Sequence, residues 1–266
     1  MGRGDFLRLA LAGVASSGLL AACAGAAESG AGGGAAEEQR GRLLARPIMP
    51  PSDRTAASGL RRLALGSGQE GLLYVPPGHD ATREAPLALT LHGAGGDAKS
   101  GLSHLIGLAD EFGLVLLAPE SRGRTWDVLE GGYGPDVGFI DRALGQTFGR
   151  LAVDAGRLAI TGFSDGASYA LSLGLTNGDL FTHAIAFSPG FAAPAERRGE
   201  PSVFVSHGTR DRVLPIERCS RRIVPQLERE GYGVRYREFE GPHTVPEGVA
   251  REALEWFARA RGGRRR

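Results

Sequence analysis

Three residues able to carry acyl-transfer chemistry occur in one order along the chain, each just after an apolar run: Ser164, Asp211 and His243. Ser164 is the centre of Gly162-Phe163-Ser164-Asp165-Gly166, between a strand-like run at Leu158 to Thr161 and the helix formers Ala167, Ala170 and Leu171. A serine at such a strand-to-helix turn sits on a strained corner that lifts its hydroxyl above the sheet. A side chain at either flanking glycine would strike neighbouring backbone. Asp211 falls in the loop Ser206 to Pro215, where a carboxylate can accept an imidazole N–H; the ordinary alternative is a turn or helix-capping Asp. His243 lies in Glu240 to Pro246 and is the one His after the last strand-like run, although a loop His is usually only solvated. A serine hydroxyl becomes a useful nucleophile when a neutral imidazole takes its proton. A buried carboxylate then fixes the tautomer and stabilises the imidazolium.

A fourth component is a pair of backbone donors for the developing oxyanion. Leu91-His92-Gly93-Ala94-Gly95-Gly96-Asp97 follows the third apolar run, and the N–H groups of Ala94 and Asp165 are the expected pair. A phosphate-binding loop would need a following Lys-Ser/Thr, which is missing here. The long segment Ser121 to Val137 brings Trp126 and Tyr133 near the same end of the sheet as expected substrate walls. The alternative for both is packing beneath the loop, with Asp127 or Asp136 tying it down. His92 and His207 each precede a Gly and read as loop braces, whereas His79, His104 and His183 have no partner pattern. No His, Cys or carboxylate pair has metal-ligand spacing, so neither a metal nor a cofactor is expected.

These residues need elements to position them. Apolar runs alternate with amphipathic segments, which predicts an α/β domain with a mostly parallel eight-stranded sheet and helices on both faces. The strands are expected at Arg62 to Leu65, Gly71 to Val75, Leu87 to Leu91, Leu114 to Ala118, Leu158 to Thr161, Ala184 to Phe187, Val203 to Ser206 and Val234 to Phe239. Helices are expected at Gly101 to Glu111, Val137 to Leu151, Ala167 to Thr176, Ile216 to Glu230 and Val249 to Ala260. The first two strands are close enough in sequence to form an antiparallel edge. Ser188 to Ser202 is too short to hold a lid domain.

A formal net charge of +1 gives no reason to expect a nucleic-acid partner, and nothing in the pattern fixes an oligomeric state. Residues 1 to 22 read as an export signal, with Arg3 and Arg8 ahead of the apolar stretch Leu9 to Ala22. Arg3-Gly4-Asp5-Phe6-Leu7-Arg8 matches a twin-arginine signal except at Gly4, so the export route is open. Leu20-Ala21-Ala22-Cys23 resembles a bacterial lipobox, which implies lipidation of Cys23, a membrane anchor, and placement in the cell envelope or periplasm. An unlipidated Cys23 would make the protein a secreted one. Residues 23 to 45 are expected to be a flexible tether, 46 to 260 the folded domain, and 261 to 266 a disordered basic tail. After processing only Cys219 remains beyond the anchor, so no intrachain disulfide is possible.

The stretches LTLHGAGGD, LAITGFSDGASYALSLGL, FVSHGTRDRVLP and EGPHTVP resemble the small bacterial esterases of the phospholipase/carboxylesterase group. That group is an α/β-hydrolase family near the polyhydroxybutyrate depolymerases and feruloyl esterase-like hydrolases. The resemblance covers about Leu60 to Ala260. It implies Ser164 as nucleophile, Asp211 as acid and His243 as base, acting through an acyl-enzyme on small carboxylic esters, short-chain or aryl. A prolyl-oligopeptidase-like peptidase would share the triad but needs a large gating domain, for which the chain has no room. A polyester depolymerase is a further alternative. A binding module would have lost a triad member, and a purely structural lipoprotein would need no poised serine.

Overall fold

The computed structural model describes residues 29–48, 57–66 and 70–259. Cys23, the export signal and the basic tail lie outside the described residues. The eight expected strands are all present: β1 (Gly59–Ala64), β2 (Glu70–Val75), β3 (Ala85–Leu91), β4 (Val115–Pro119), β5 (Val153–Phe163), β6 (His183–Phe187), β7 (Ser202–Gly208) and β8 (Val234–Phe239). They form one sheet in the order β1-β2-β4-β3-β5-β6-β7-β8. β1 and β2 run antiparallel, as does β2 against β4, and every pairing from β4 to β8 is parallel.

Alternating side chains along the central strands feed two cores. Leu87 and Leu89 of β3 point to one face, where they join residues of α4 (Asp127–Glu130), α5 (Pro135–Phe148), α6 (Asp165–Thr176) and α7 (Ser220–Arg229). Ala88 points to the other, with α2 (Ala98–Leu102), α3 (Ile106–Phe112) and α8 (Glu247–Arg259). Near-continuous apolar strands are what a sheet covered on both faces demands. Strand order reverses around β3 and β5, opening a crevice beyond their carboxyl ends.

Three expectations are corrected. The helix foreseen at Gly101 to Glu111 is two, α2 and α3, and the one foreseen at Ile216 begins as a 3-10 turn (Ile216–Arg218) before α7. The tether is not a tether along its whole length: residues Ser29–Gln39 form α1, and the next few are fastened to the domain. Leu43 is fully buried, and its N–H donates to Asn177 Oδ1 (2.9 Å). The N–H groups of Leu44 and Ala45 share Asp141 Oδ1 at 2.6 and 2.8 Å. Arg42, buried as well, donates to the Thr176 carbonyl (2.7 Å) and to both oxygens of Asp179 (3.0 and 2.9 Å). It satisfies carbonyls that the end of α6 would otherwise leave open, beside the negative end of the helix dipole.

Candidate active site

The turn from β5 into α6 places Ser164 at φ 57°, ψ −121°, and only Ser188 shares a positive φ among the described non-glycine residues. The neighbouring glycines make this corner possible. A Cβ on Gly162 would come within 2.3 Å of the Gly166 carbonyl oxygen, and one on Gly166 within 2.3 Å of the Leu91 oxygen. The strain is held by packing on both sides and by the Ser164 N–H, which donates to the Phe187 carbonyl at 3.0 Å.

Three loops converge on this serine. His243 Nε2 lies 2.9 Å from Ser164 Oγ, and His243 Nδ1 lies 2.5 Å from Asp211 Oδ2. With the proton on Nδ1, the imidazole donates to the carboxylate and its Nε2 accepts from the serine hydroxyl. Asp211 Oδ1 accepts from the N–H groups of Val213 (2.9 Å) and Leu214 (2.8 Å). Burial pushes this carboxyl upward. The Leu214 N–H, the His243 ring and the Val213 N–H more than offset it and hold Asp211 below the usual carboxylate range. His207, fully buried, sits 3.2 Å from Asp211 Oδ2 while its own nitrogens meet Ser220 Oγ (2.6 Å) and the Leu214 carbonyl (2.8 Å). It braces the Asp211 turn, the part expected of it. The ring of Phe163 packs against His243, centroids 4.6 Å apart, and His104 packs edge-on against Phe163.

Across the crevice, the loop after β3 comes against the elbow: a Cβ on Gly93 would lie 3.4 Å from Ser164 Cβ. Gly95 donates to the Arg124 carbonyl (2.6 Å) and Gly96 to Gly93 (3.0 Å), which fixes the loop. Among the described residues no protein acceptor takes the N–H of Ala94 or that of Asp165. His92 Nε2 accepts from the Ser121 N–H (3.0 Å) and its Nδ1 meets the Gly93 carbonyl (2.8 Å), so this His braces the loop. The Asp165 side chain is turned aside by Thr125, whose hydroxyl donates to Oδ2 at 2.7 Å.

Neither expected aromatic wall is one. Trp126 is fully buried, donates its indole N–H to the His92 carbonyl (2.9 Å) and stacks on Tyr169 with centroids 5.1 Å apart. It supports the loop after β3 from beneath. Tyr133 rests on Gly41 and donates to the Ala193 carbonyl (3.0 Å), beside Thr176 at the far end of α6. Twelve helical residues span about 18 Å, which sets the Tyr133 hydroxyl at the end of α6 opposite Ser164, while its ring lies 6.1 Å from that of Tyr169. The tie of the long loop is instead a carboxylate pair, as the alternative reading had it. Asp136 accepts from the N–H groups of Arg122 (2.7 Å) and Asp127 (2.8 Å), and Asp127 accepts from those of Gly134 (2.8 Å) and Asp136 (2.9 Å). Sequence reasoning passed over Phe163 and Thr125, although both lie inside stretches it had singled out.

An open groove of about 420 Å³ adjoins His243, lined also by Arg210, Arg212, Val213 and Pro242. A second cavity, about 350 Å³, lies near the amino end of β3 between Pro76 and Gly113, far from Ser164. Among the described residues no group of His, Cys, Asp and Glu could hold a metal ion.

No family model matches the chain. In sequence it is similar to feruloyl esterase C of Emericella nidulans, 26% identical over 172 residues that cover 61% of each protein. It is also similar to a Nocardia uniformis subsp. tsuyamanensis protein named as esterase NocK, 29% identical over 228 residues, 80% of this chain and 65% of that protein. The chain thus spans about three fifths of the feruloyl esterase relatives it matches. In structure it is similar to an acetyl xylan esterase from Aspergillus awamori, with TM-score 0.60 and 16% identity over 75% of this chain and 99% of that one. The fold is that of the α/β-hydrolases.

Proposed function

We propose that this α/β-hydrolase is a serine hydrolase of carboxylic esters, with Ser164 as nucleophile, His243 as base and acid, and Asp211 as the carboxylate that orients the ring. One observation carries the reading: the relay from Ser164 Oγ through His243 to Asp211, at 2.9 and 2.5 Å, set on a strained elbow. Ser164 Oγ attacks the ester carbonyl as its proton passes to His243 Nε2. Charge on the carbonyl oxygen is received by the N–H groups of Ala94 and Asp165, the second at the amino end of α6. The tetrahedral adduct collapses, the C–O bond breaks, and the proton on Nε2 goes to the departing alkoxide. Water repeats the sequence on the acyl-enzyme and releases the acid. Asp211 stays ionised throughout, which its partners favour.

Short-chain or aryl esters are the proposed substrates. The segment 188–202 carries no helix, and the rim residue Val213 is 65% exposed beside the open groove at His243. An open site offers little apolar area to a long acyl chain, whereas the relatives named feruloyl esterase point to aromatic acids. Ser164→Ala should lower kcat on p-nitrophenyl acetate and on methyl ferulate by about 10⁴ or more, with the folded state intact by circular dichroism. A variant that retains a tenth of the wild-type rate on both esters would remove Ser164 from the role.

A further inference from the structure

The groove beside His243 bears a charge that the ester chemistry does not use. Two arginines, Arg210 and Arg212, are among its lining residues. Arg210 is occupied: its Nη1 donates to Glu240 Oε1 at 2.8 Å. Arg221, nearby in the chain, is occupied too, by Glu217 and Glu238. Arg212 has no carboxylate partner and no hydrogen-bond acceptor among the described residues. Its backbone lies inside a turn that the Asp211 carboxylate ties together. It follows Asp211 directly, and the Asp211 carboxylate takes the N–H groups of the next two residues, Val213 and Leu214. A guanidinium free of protein partners, on a residue that lines an open groove together with His243, is suited to one ligand chemistry. Its planar fork of donors matches a carboxylate with two parallel N–H···O bonds.

On the proposed ester chemistry, on which this inference rests, we infer that the groove takes the alcohol portion of the substrate, and that this portion carries a carboxylate which pairs with Arg212. The side of the crevice follows from the chemistry. His243 Nε2 must hand its proton to the leaving oxygen, so the leaving group departs past His243, and the groove is lined by that residue. The other charges agree with the sign. Asp165 lies across the crevice with its carboxylate turned to Thr125, Asp211 is buried behind the imidazole, and Glu240 is paired. An anion is therefore repelled on the elbow side and drawn to the Arg212 side. Val213, exposed in the same lining, offers an apolar contact for a ring or short chain between the ester and the acid.

The test pairs substrates matched in size and reacting bond: 4-acetoxybenzoate against 4-acetoxybenzamide for charge on the alcohol portion, and monophenyl succinate against phenyl butyrate for charge on the acyl portion. The quantity read is the ratio of kcat/KM, anionic over neutral, so each variant is its own control for folding. In the wild type the alcohol-side ratio should exceed that of Arg212→Ala by roughly three- to tenfold and that of Arg212→Glu by more, with Arg212→Lys between. The difference should shrink when salt is raised about tenfold, because the pair is exposed to solvent. The inference is overturned if the esters are turned over but the alcohol-side ratio ignores Arg212, or if the acyl-side ratio is the one that responds. Wild-type protein that hydrolyses none of the four would instead overturn the ester reading itself, and this inference with it.

Discussion

Two buried carboxylates stand after strands on opposite sides of β5, one held below the usual carboxylate range and the other pushed above it. Asp211 follows β7 and Asp136 opens α5 after β4, two strands to either side of β5 and its serine. Both are shut off from solvent, at 6% and 1% exposure. Asp211 answers burial with two backbone N–H donors and an imidazole, and lies below the usual carboxylate range. Asp136 has two backbone donors as well, from Arg122 and Asp127, but its neighbour is the Asp127 carboxylate rather than an imidazole. Burial pushes Asp136 up to about 6, the Arg122 N–H pulls it back only in part, and repulsion from Asp127 adds to the rise. Burial weighs more heavily on Asp136, and the third partner then acts in opposite senses, the imidazole lowering Asp211 and the second carboxylate raising Asp136. On the proposed chemistry Asp211 stabilises an imidazolium, and its partners favour the anion. Asp136, which ties down a loop, is left easier to protonate.

Removing the charge on the first side breaks the comparison most severely. Asp211→Asn can still accept from Val213 and Leu214, but its amide N–H₂ would face His243 and favour the tautomer with the proton on Nε2. Such a ring cannot take the serine proton, so kcat should fall by about 10⁴ while the thermal midpoint moves little. Steady-state kinetics beside a melting curve checks this, and a loss under tenfold would show that the anion matters less than its geometry. On the second side the effect should appear in stability against pH. Because Asp136 is raised on folding, its contribution is fully present below its unfolded value of 3.8 and is lost as pH rises through about 6. Asp136→Asn deletes that dependence. Relative to the wild type the variant should gain up to ~3 kcal/mol between pH 4 and pH 7, whatever its absolute stability. Urea titrations at several pH values read this directly, and parallel curves for the two proteins would refute it.

The smallest effect concerns a carboxylate whose third partner is a true cation. The Arg42 guanidinium holds Asp179 down to about 2, so that pair stabilises above 3.8 and fades as pH falls toward 2. Asp179 is 38% exposed and its share is screened. The cost of Arg42→Ala comes mostly from the Thr176 carbonyl left bare in the interior, about 1–3 kcal/mol of unfolding free energy, since Asn177 Oδ1 keeps the Leu43 N–H. Ester turnover should survive, since the contact is at the opposite end of α6 from Ser164.

The three residues of the proposed triad, which the structure brings within hydrogen-bond reach of one another, were legible because each stands at the end of an apolar run, where a parallel sheet delivers its loops to one edge. Ser164 carried the added mark of paired glycines, whose spacing records a clash that only the folded turn reveals. The elbow-side aromatics were not legible. Trp126 and Tyr133 lie on a loop with no period to say which side faces down, and a buried indole bonded to the His92 carbonyl has the same sequence as an exposed one. The tether was misread for a related reason. Its composition is that of a linker up to Gln39, and the fastening that follows rests on Arg42 and Leu43 together with backbone N–H groups that composition does not register. The Asp136 tie was named as an alternative, but nothing in the sequence said that its partner would be a second carboxylate.

The fastening at residues 42–45 also decides how the molecule would carry a mechanical load. A pull on the chain ahead of it enters the domain at Asp141, Asn177 and Asp179, through several hydrogen bonds that must yield together. The load thus enters about 18 Å from Ser164, at the end of α6 opposite the elbow and shared with α5 through Asp141.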